Sequence, residues 1–389
     1  MSGDALVALP VDAPDATLVG RVWRPEVAGP SVVVVRDGAL LDVTATHPTI
    51  RDLCEVPDPV GAAGSSGESV GRLVDVLANT PRGTRDTRRP WLLSPVDLQA
   101  VKAVGVTFPV SLLERVIEER AGGSAARALA IRTDVERLVG HDLARLRPGS
   151  PEAMALKEVL VREGVWSQYL EVGIGPDAEL FTKAQPMSTV GHLAEVGIGG
   201  GSSWNNPEPE VALVVSSTGR IVGATLGNDV NLRDVEGRSA LLLGRAKDNN
   251  ASAALGPFVR LFDGGFGLDD VRTEEVRLAI EGVDGFRLEA VSEMGRISRD
   301  PVDLVASTIG PDHRYPDGVV LYLGTMFAPV ADRDAPGMGF THHTGDVVTI
   351  SSRHLGTLVN TVVPASEAEP WTLGAAALMR NLASRGLLE

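Results

Sequence analysis

The sequence predicts an α+β protein in which short strands from both ends of the chain flank a helical middle. Three observations predict it. Residues 5 to 56 fall into brief apolar runs separated by turn residues, residues 110 to 168 carry apolar side chains at helical spacing, and strand-like runs return from residue 209 onward.

Composition sets the outer limits. The 389 residues are 43% hydrophobic and 22% charged, ordinary globular proportions with room for two domains. A net charge of −15 argues against nucleic acid as a partner, because that binding runs on Lys and Arg against phosphates. The single cysteine, Cys54, cannot close an intramolecular disulfide and is read as a packing residue, consistent with a reducing cytoplasm. No basic stretch precedes the apolar residues at the N-terminus, and no run of about 18 apolar residues occurs. Export and membrane spanning are therefore not expected.

In chain order, Ala5 to Leu9, Thr17 to Trp23 and Ser31 to Val35 read as strands, and Asp37-Gly38 as a hairpin turn into Ala39 to Val43. Thr49 to Cys54 starts a helix that Pro57, Pro59 and the glycine-serine run at 61 to 69 should break into a mobile loop. That glycine run has no strand before it and no G-K-S after it, so it is no phosphate-binding loop. Two or more helices fill 110 to 168, marked by Leu112, Leu113, Val116 and Ile117 and later by Ile131, Val135, Leu138 and Val139. Arg127, Arg132 and Arg137, with the Glu residues of this stretch, are expected on wet helix faces. Residues 173 to 183, G-I-G-P-D-A-E-L-F-T-K, read as a loop, either a surface turn or one that meets a ligand. Val276 to Ile280 and Phe286 to Ala290 alternate as strands of the catalytic sheet, and Val319 to Gly324 is a strand that ends at Thr325.

The chemistry concentrates between Trp204 and Lys247. Glu208 and Glu210 are two apart before the apolar run Val211 to Val215, so on an extended segment both carboxylates leave one face and repel. A second strand-like run, Arg220 to Gly227, delivers Asn228 and Asp229. Three carboxylates suit magnesium, manganese or calcium, whereas zinc would ask for His or Cys. An E-x-E pair alone is more often a solvated face; the constellation with Asp229 and Lys247 is more specific. His342, His343 and His354 lack a fourth ligand and are expected on a solvated loop.

These residues resemble the fumarylacetoacetate hydrolase superfamily, whose catalytic part carries E-x-E, then N-D-x-S-x-R-D, then a Lys. Here they stand as Glu208-Pro209-Glu210, Asn228 to Asp234, and Lys247, and the resemblance runs from about residue 165 to 389 through L-G-T-M-F-A-P at 323 to 329. Asn231 in place of the usual Ser or Thr, D-N-N-A-S-A after Lys247, and D-A-E-L-F-T-K at 177 to 183 are similar to the branch that dehydrates 2-keto-3-deoxy sugar acids.

The resemblance implies a smaller N-terminal α+β domain at 1–165 with a β-rich cap, and a mixed β-roll catalytic domain at 166–389. It implies magnesium (or manganese or calcium) on Glu208, Glu210 and Asp229, Glu179 as the base, and Lys247 stabilising enolate charge. Arg233, Thr325 and Lys183 would hold a 2-oxo acid substrate. The expected reaction takes 2-keto-3-deoxypentonate to 2-oxoglutarate semialdehyde in cytoplasmic pentose catabolism, by a homodimer or homotetramer. The rival enzyme is an acylpyruvate or diketo-acid hydrolase, which a His beside the metal carboxylates would favour; His192 alone is offered for that place. A third reading, a binding or structural module on the same fold, sits poorly with an intact Glu208, Glu210, Asp229 and Lys247.

Overall fold

The computed structural model describes residues 8–139, 146–327 and 331–388, with the backbone alone for 135–139. It is a mixed α+β structure built on two principal sheets and a short ribbon. The larger sheet has eleven strands, and ten of them run in the order Glu68–Arg72, Ala39–Asp42, Gly29–Arg36, Leu18–Arg24, Ala253–Leu261, Ile221–Asp229, Pro209–Val215, Val319–Tyr322, Ala100–Gly105 and Glu179–Ala184. Trp91–Leu92 pairs beside Leu18–Arg24. Within this sheet Ala100–Gly105 lies parallel to Val319–Tyr322, and the other pairings are antiparallel. The smaller sheet orders Arg287–Glu293, Glu275–Glu281, Val347–Ser352, Gly356–Pro364 and Glu195–Ile198. Asn205–Asn206 and Asn231–Leu232 form the ribbon.

The period-2 pattern of the strands decides what covers each face. Along Pro209–Val215, Val211, Leu213 and Val215 enter one core with Val276, Leu278, Ile280, Val348 and Ile350 of the smaller sheet. Ala212 and Val214 enter the opposite core, where Ile50, Leu53 and Cys54 of helix Ile50–Glu55 pack. Because that strand is buried on both faces, its sequence is a continuous apolar run rather than an alternation. Burial beside carboxylates lifts the Cys54 thiol far above its usual value, in keeping with a packing role.

Several sequence expectations meet their elements. Strands Leu18–Arg24, Gly29–Arg36 and Ala39–Asp42 appear, and Asp37 and Gly38 both take positive φ (51° and 72°), as a tight hairpin turn needs. Helix Ile50–Glu55 begins at Thr49, which accepts from the Asp52 N–H, and Asp97 takes the Ile50 N–H at 2.7 Å. Helices Pro109–Ala121, Ala125–Val139 and Pro151–Arg162 fill the middle, followed by Gln168–Ile174; the side chains of Val135, Arg137, Leu138 and Val139 lie outside the described residues.

Others are corrected. Residues 5–7 lie outside the described residues, and Ala8 and Leu9 are not in a strand. Pro59 starts a helix instead of ending one: at its first position the absent N–H costs nothing, and Asp58 caps Pro59–Ala63. The stretch expected to be a loop at 61 to 69 therefore opens in helix and ends in the edge strand Glu68–Arg72. Glu275–Glu281 and Arg287–Glu293 belong to the smaller sheet, because their one-sided alternation suits a sheet with a single buried face. No helix among the described residues is long and apolar enough to cross a membrane.

Candidate metal centre and active site

Paired strands bring the expected carboxylates together. Pro209 pairs with Asn228 and Glu210 with Gly227, so Glu208, Glu210 and the strand-end Asp229 converge. One ligand oxygen from each lies within 4.8 Å of the others, and all three side chains are buried. Burial and the charges of Asp229 and Glu208 push the Glu210 carboxyl well above its usual value, the electrostatic penalty expected of carboxylates sharing a face. The Gly324 N–H donates to Glu210 Oε2 at 2.7 Å, fixing one end of that side chain. A buried set of hard oxygen donors this close fits a magnesium-like cation.

Cationic side chains hold the opposite charge. Lys247 donates to Glu208 at 2.6 Å and to Asp229 at 3.1 Å, and its ammonium lies 5.6 Å from the centre of the Phe181 ring. Burial would lower its pKa, but Asp229, Glu208 and Glu236 overcome that and raise it, so it is charged. For Asp229, burial would raise the pKa, and Lys183 and Lys247 outweigh it, holding the carboxylate ionised below its usual value.

Glu179 opens strand Glu179–Ala184, opposite Gly105. The expected loop at 173 to 183 is therefore a helix end, a turn and then an edge strand. A methyl at 105 would collide with Glu179 Oε2, so glycine there makes space for the carboxylate. Burial, then repulsion by Glu236, raises the Glu179 pKa to about 7 against the pull of Arg115 and Lys247.

A cavity opens at the carboxylates, lined by Glu208, Glu210, Asp229 and Lys247 and by Gly105, Gly324 and Thr325; Glu179 sits behind Gly105 and is not in its lining. Lys183 and Arg233 do not line it either. Lys183 is fully buried behind Asp229, 2.8 Å from Oδ1, and it donates to the Lys247 carbonyl at 2.6 Å and the Val230 carbonyl at 2.9 Å. With its donors so engaged it orients Asp229 from behind. Arg233 is buried against Glu118 and Glu114 and stacks 4.1 Å from the centre of the Trp204 ring. His192 is also buried away from the carboxylates, where its Nδ1 accepts from the Val359 N–H at 3.1 Å. No histidine among the described residues lines the cavity.

The other histidines are less solvated than expected. His342 is buried beside Asp346 at 3.2 Å, which Arg333 also holds, and His354 pairs with Glu274 at 2.8 Å. His343 reaches Asp334 at 2.9 Å.

Helix Pro109–Ala121 supplies groups that the sequence reading left on a wet face. Glu114 and Glu118 are buried, and Arg115 lines the cavity in contact with Glu208, with Glu118 at 2.6 Å and with Glu236 at 3.3 Å. Arg132 closes onto Glu114, while Arg127 is exposed as expected. Burial would lower the Arg115 pKa, but Glu118, Glu236 and Glu208 raise it, so it too stays charged. Removing one partner from such a buried ion pair typically costs about 3–5 kcal/mol. With these side chains drawn together the cavity is about 30 Å³, room for an ion or a water.

Comparison with known proteins places this geometry. The chain is 29% identical over 184 residues to 2-dehydro-3-deoxy-D-arabinonate dehydratase of Saccharolobus solfataricus, covering 47% of this chain and 58% of that protein. It is 31% identical over 194 residues to a probable 2-keto-3-deoxyxylonate dehydratase of Haloferax volcanii, covering 50% and 63%. It thus spans about three fifths of the length of these curated relatives. Among solved structures, 2-keto-3-deoxy-D-arabinonate dehydratase complexed with magnesium and 2,5-dioxopentanoate superposes with a TM-score of 0.61 at 19% identity, over 89% of this chain and 99% of that one. Over about half its length the chain is thus similar to these two dehydratases, and it shares the fold of the solved one. No protein-family model matches it.

The E-x-E, N-D and Lys pattern in the sequence accounts for Glu208, Glu210, Asp229 and Lys247, but it gives no sign of Arg115, Glu118 or Glu236. The available signal was the i, i+1, i+4 set Glu114, Arg115 and Glu118 interleaved with apolar Leu112, Val116 and Ile117, which puts charge beside a buried stripe. Glu236 stood in plain view in the polar string after Asp229.

Proposed function

We propose that the protein is a cytoplasmic, magnesium-dependent hydro-lyase that removes water from a 2-keto-3-deoxy sugar acid, with 2-keto-3-deoxypentonate going to 2-oxoglutarate semialdehyde in pentose breakdown. The observation that carries this reading is the buried three-carboxylate cluster with Lys247 in a cavity that no described histidine lines, with Glu179, raised to about 7, packed against Gly105 of the cavity wall.

Glu208, Glu210 and Asp229 would hold the ion, which when bound to the substrate's 2-oxo acid end draws electrons from the ketone and acidifies the neighbouring methylene. Glu179 takes the methylene proton. Lys247 and Arg115 stand where negative charge develops on the ketone oxygen, and Thr325 offers a hydroxyl to the substrate carboxylate. The hydroxyl two carbons from the ketone leaves as water, taking up the proton that Glu179 removed, and the double bond of the resulting enone shifts to the terminal carbon to give an enol that tautomerises to the aldehyde. Lys183 and Arg233, assigned to substrate by resemblance, act in this reading through Asp229 and through Glu118.

The same residues divide the labour along the chain. Residues 166–389, the proposed mixed β-roll, carry the ion and the base, and the smaller part at 1–165 brings Arg115. Assembly as a homodimer or homotetramer belongs to this reading; light scattering that returned the 40.9 kDa of one chain would remove it. Diketo-acid hydrolysis, the rival, lacks a histidine near the carboxylates, among the described residues, to activate water.

The test is purified protein with magnesium and a panel of 2-keto-3-deoxy acids and diketo acids, with products read by mass. Dehydration yields one product lighter by a water, and cleavage into two fragments would overturn it. Glu208→Ala, Glu210→Ala and Asp229→Ala should each lower turnover by about 100-fold or more. Exhaustive chelation should silence the wild type, and full activity after it would sink the metal.

A further inference from the structure

Two acceptor atoms in the cavity have no use in the mechanism above. Glu236 is 3% exposed and Asn206 is 1% exposed; both line the cavity, and Glu236 Oε2 and Asn206 Oδ1 are buried without a hydrogen-bond partner. Each side chain is fixed at its other end. Glu236 Oε1 is 3.3 Å from Arg115 Nε. Asn206 Nδ2 donates to the Pro207 carbonyl at 2.8 Å, and a flipped amide would set oxygen against oxygen there, so Oδ1 is the atom left over. The backbone of Asn206 is held in turn by its pairing with Asn231.

Buried acceptors of this kind ask for donors. A 2-oxo acid has no donor at its carboxylate or ketone, and the Glu236 charge repels the carboxylate. The donors of a 2-keto-3-deoxy acid are the hydroxyls of its tail.

We propose that Glu236 and Asn206 form a specificity subsite that accepts hydrogen bonds from the substrate's hydroxyls, selecting hydroxylated 2-oxo acids over diketo or alkyl 2-oxo acids. This rests on the dehydratase reading. It orients the substrate with its carboxylate away from Glu236 and its tail towards helix Arg233–Glu236. A buried polar site rejects a ligand that leaves its groups unpaired more strongly than an apolar pocket rejects a misfit.

Glu236→Gln is the incisive change. Arg115 needs an oxygen, so the new amide turns its NH₂ into the cavity and converts an acceptor into a donor. Asn206→Ala removes the second acceptor without adding charge. Two rates are measured on the alkaline plateau with magnesium: kcat and KM for 2-keto-3-deoxypentonate, and deuterium uptake from heavy water into the methyl group of pyruvate, which has the 2-oxo acid end and no hydroxyl tail. Each variant should lose about 10-fold or more in kcat/KM on the sugar acid, carried largely by KM; pyruvate exchange should fall clearly less than that in Glu236→Gln, which also touches Arg115, and stay within about twofold of wild type in Asn206→Ala. Equal losses on both would overturn the proposal and make these residues supports of Arg115 or of the fold. Unchanged kcat/KM on the sugar acid would overturn it as well, leaving the two oxygens to water. A wild type that neither dehydrates the sugar acid nor exchanges pyruvate would instead remove the dehydratase reading beneath it.

Discussion

In the proposed reaction, Glu179 is where the electrostatics of single residues decide whether the chemistry can run. Its carboxyl titrates near 7 because burial disfavours the charge and Glu236 adds repulsion, and Arg115 and Lys247 cancel part of both. A base must be ionised before it takes a proton. The folded pKa is raised, so the active form is lost as pH falls through about 7, and kcat/KM should drop about tenfold per unit below it. Glu236→Gln removes a negative neighbour, lowers the Glu179 pKa and should shift that acid limb to lower pH. Full pH-rate profiles of both proteins check this, and an acid limb in the same place would mean that Glu236 does not reach Glu179. At this scale the sequence exposed what lies contiguous in the motif: Glu208, Glu210, Asp229 and Lys247 are legible because their spacing along two strands and a helix is itself the signal. Arg115 and Glu236 were not, because a charged residue on a helix is usually wet, and only the packing of Pro109–Ala121 against helix Arg233–Glu236 buries these. Lys183 was misplaced for a related reason. Its position in the motif is near the site, but its direction, towards backbone carbonyls behind Asp229, is a property of the folded strand.

Elements were read well where backbone chemistry was local and poorly where it depended on neighbours. Asp37-Gly38 announced its hairpin, and Thr49 its helix; Pro59 announced a break that the Asp58 cap turned into a start. Which sheet a strand joined was not in its own residues, as Glu275–Glu281 shows. Two glycines illustrate what the strand pair at the site demands. Gly324 has φ +91°, and a side chain there would strike Thr107, so the residue is free to aim its N–H at Glu210. Gly105 has no such backbone need; its missing Cβ is the space that Glu179 occupies. Gly105→Ala should therefore leave the strand paired while pushing the Glu179 carboxylate aside. The expected outcome is a fall in kcat of about 100-fold, the usual result of displacing a reacting group by about 1 Å, with little change in melting temperature. A large drop in melting temperature with kcat intact in the folded fraction would contradict it.

Across the whole molecule, the eleven-stranded sheet takes its strands from both ends of the chain. Ala253–Leu261, buried along its full length, pairs on one side with Leu18–Arg24, and Val319–Tyr322 pairs on one side with Ala100–Gly105. Val19, Val32, Val34, Val101 and Ala103 share one core with Leu255, Val259, Leu261, Val320 and Tyr322. Residues 166–389 hold the proposed ligands and base, yet on their own they would present two open ladder edges and an uncovered apolar face. Edges of that kind pair with whatever strand they meet, and each large apolar side chain left in water forfeits about 1.5–3 kcal/mol of burial. Expressed alone, the fragment 166–389 should aggregate or fail to unfold cooperatively, and adding the 1–165 fragment should recover soluble material. Circular dichroism melts and amide exchange decide the matter. A sharp melt of the isolated fragment, with slow exchange along Ala253–Leu261, would show that the strands from 1–165 decorate a sheet able to stand without them.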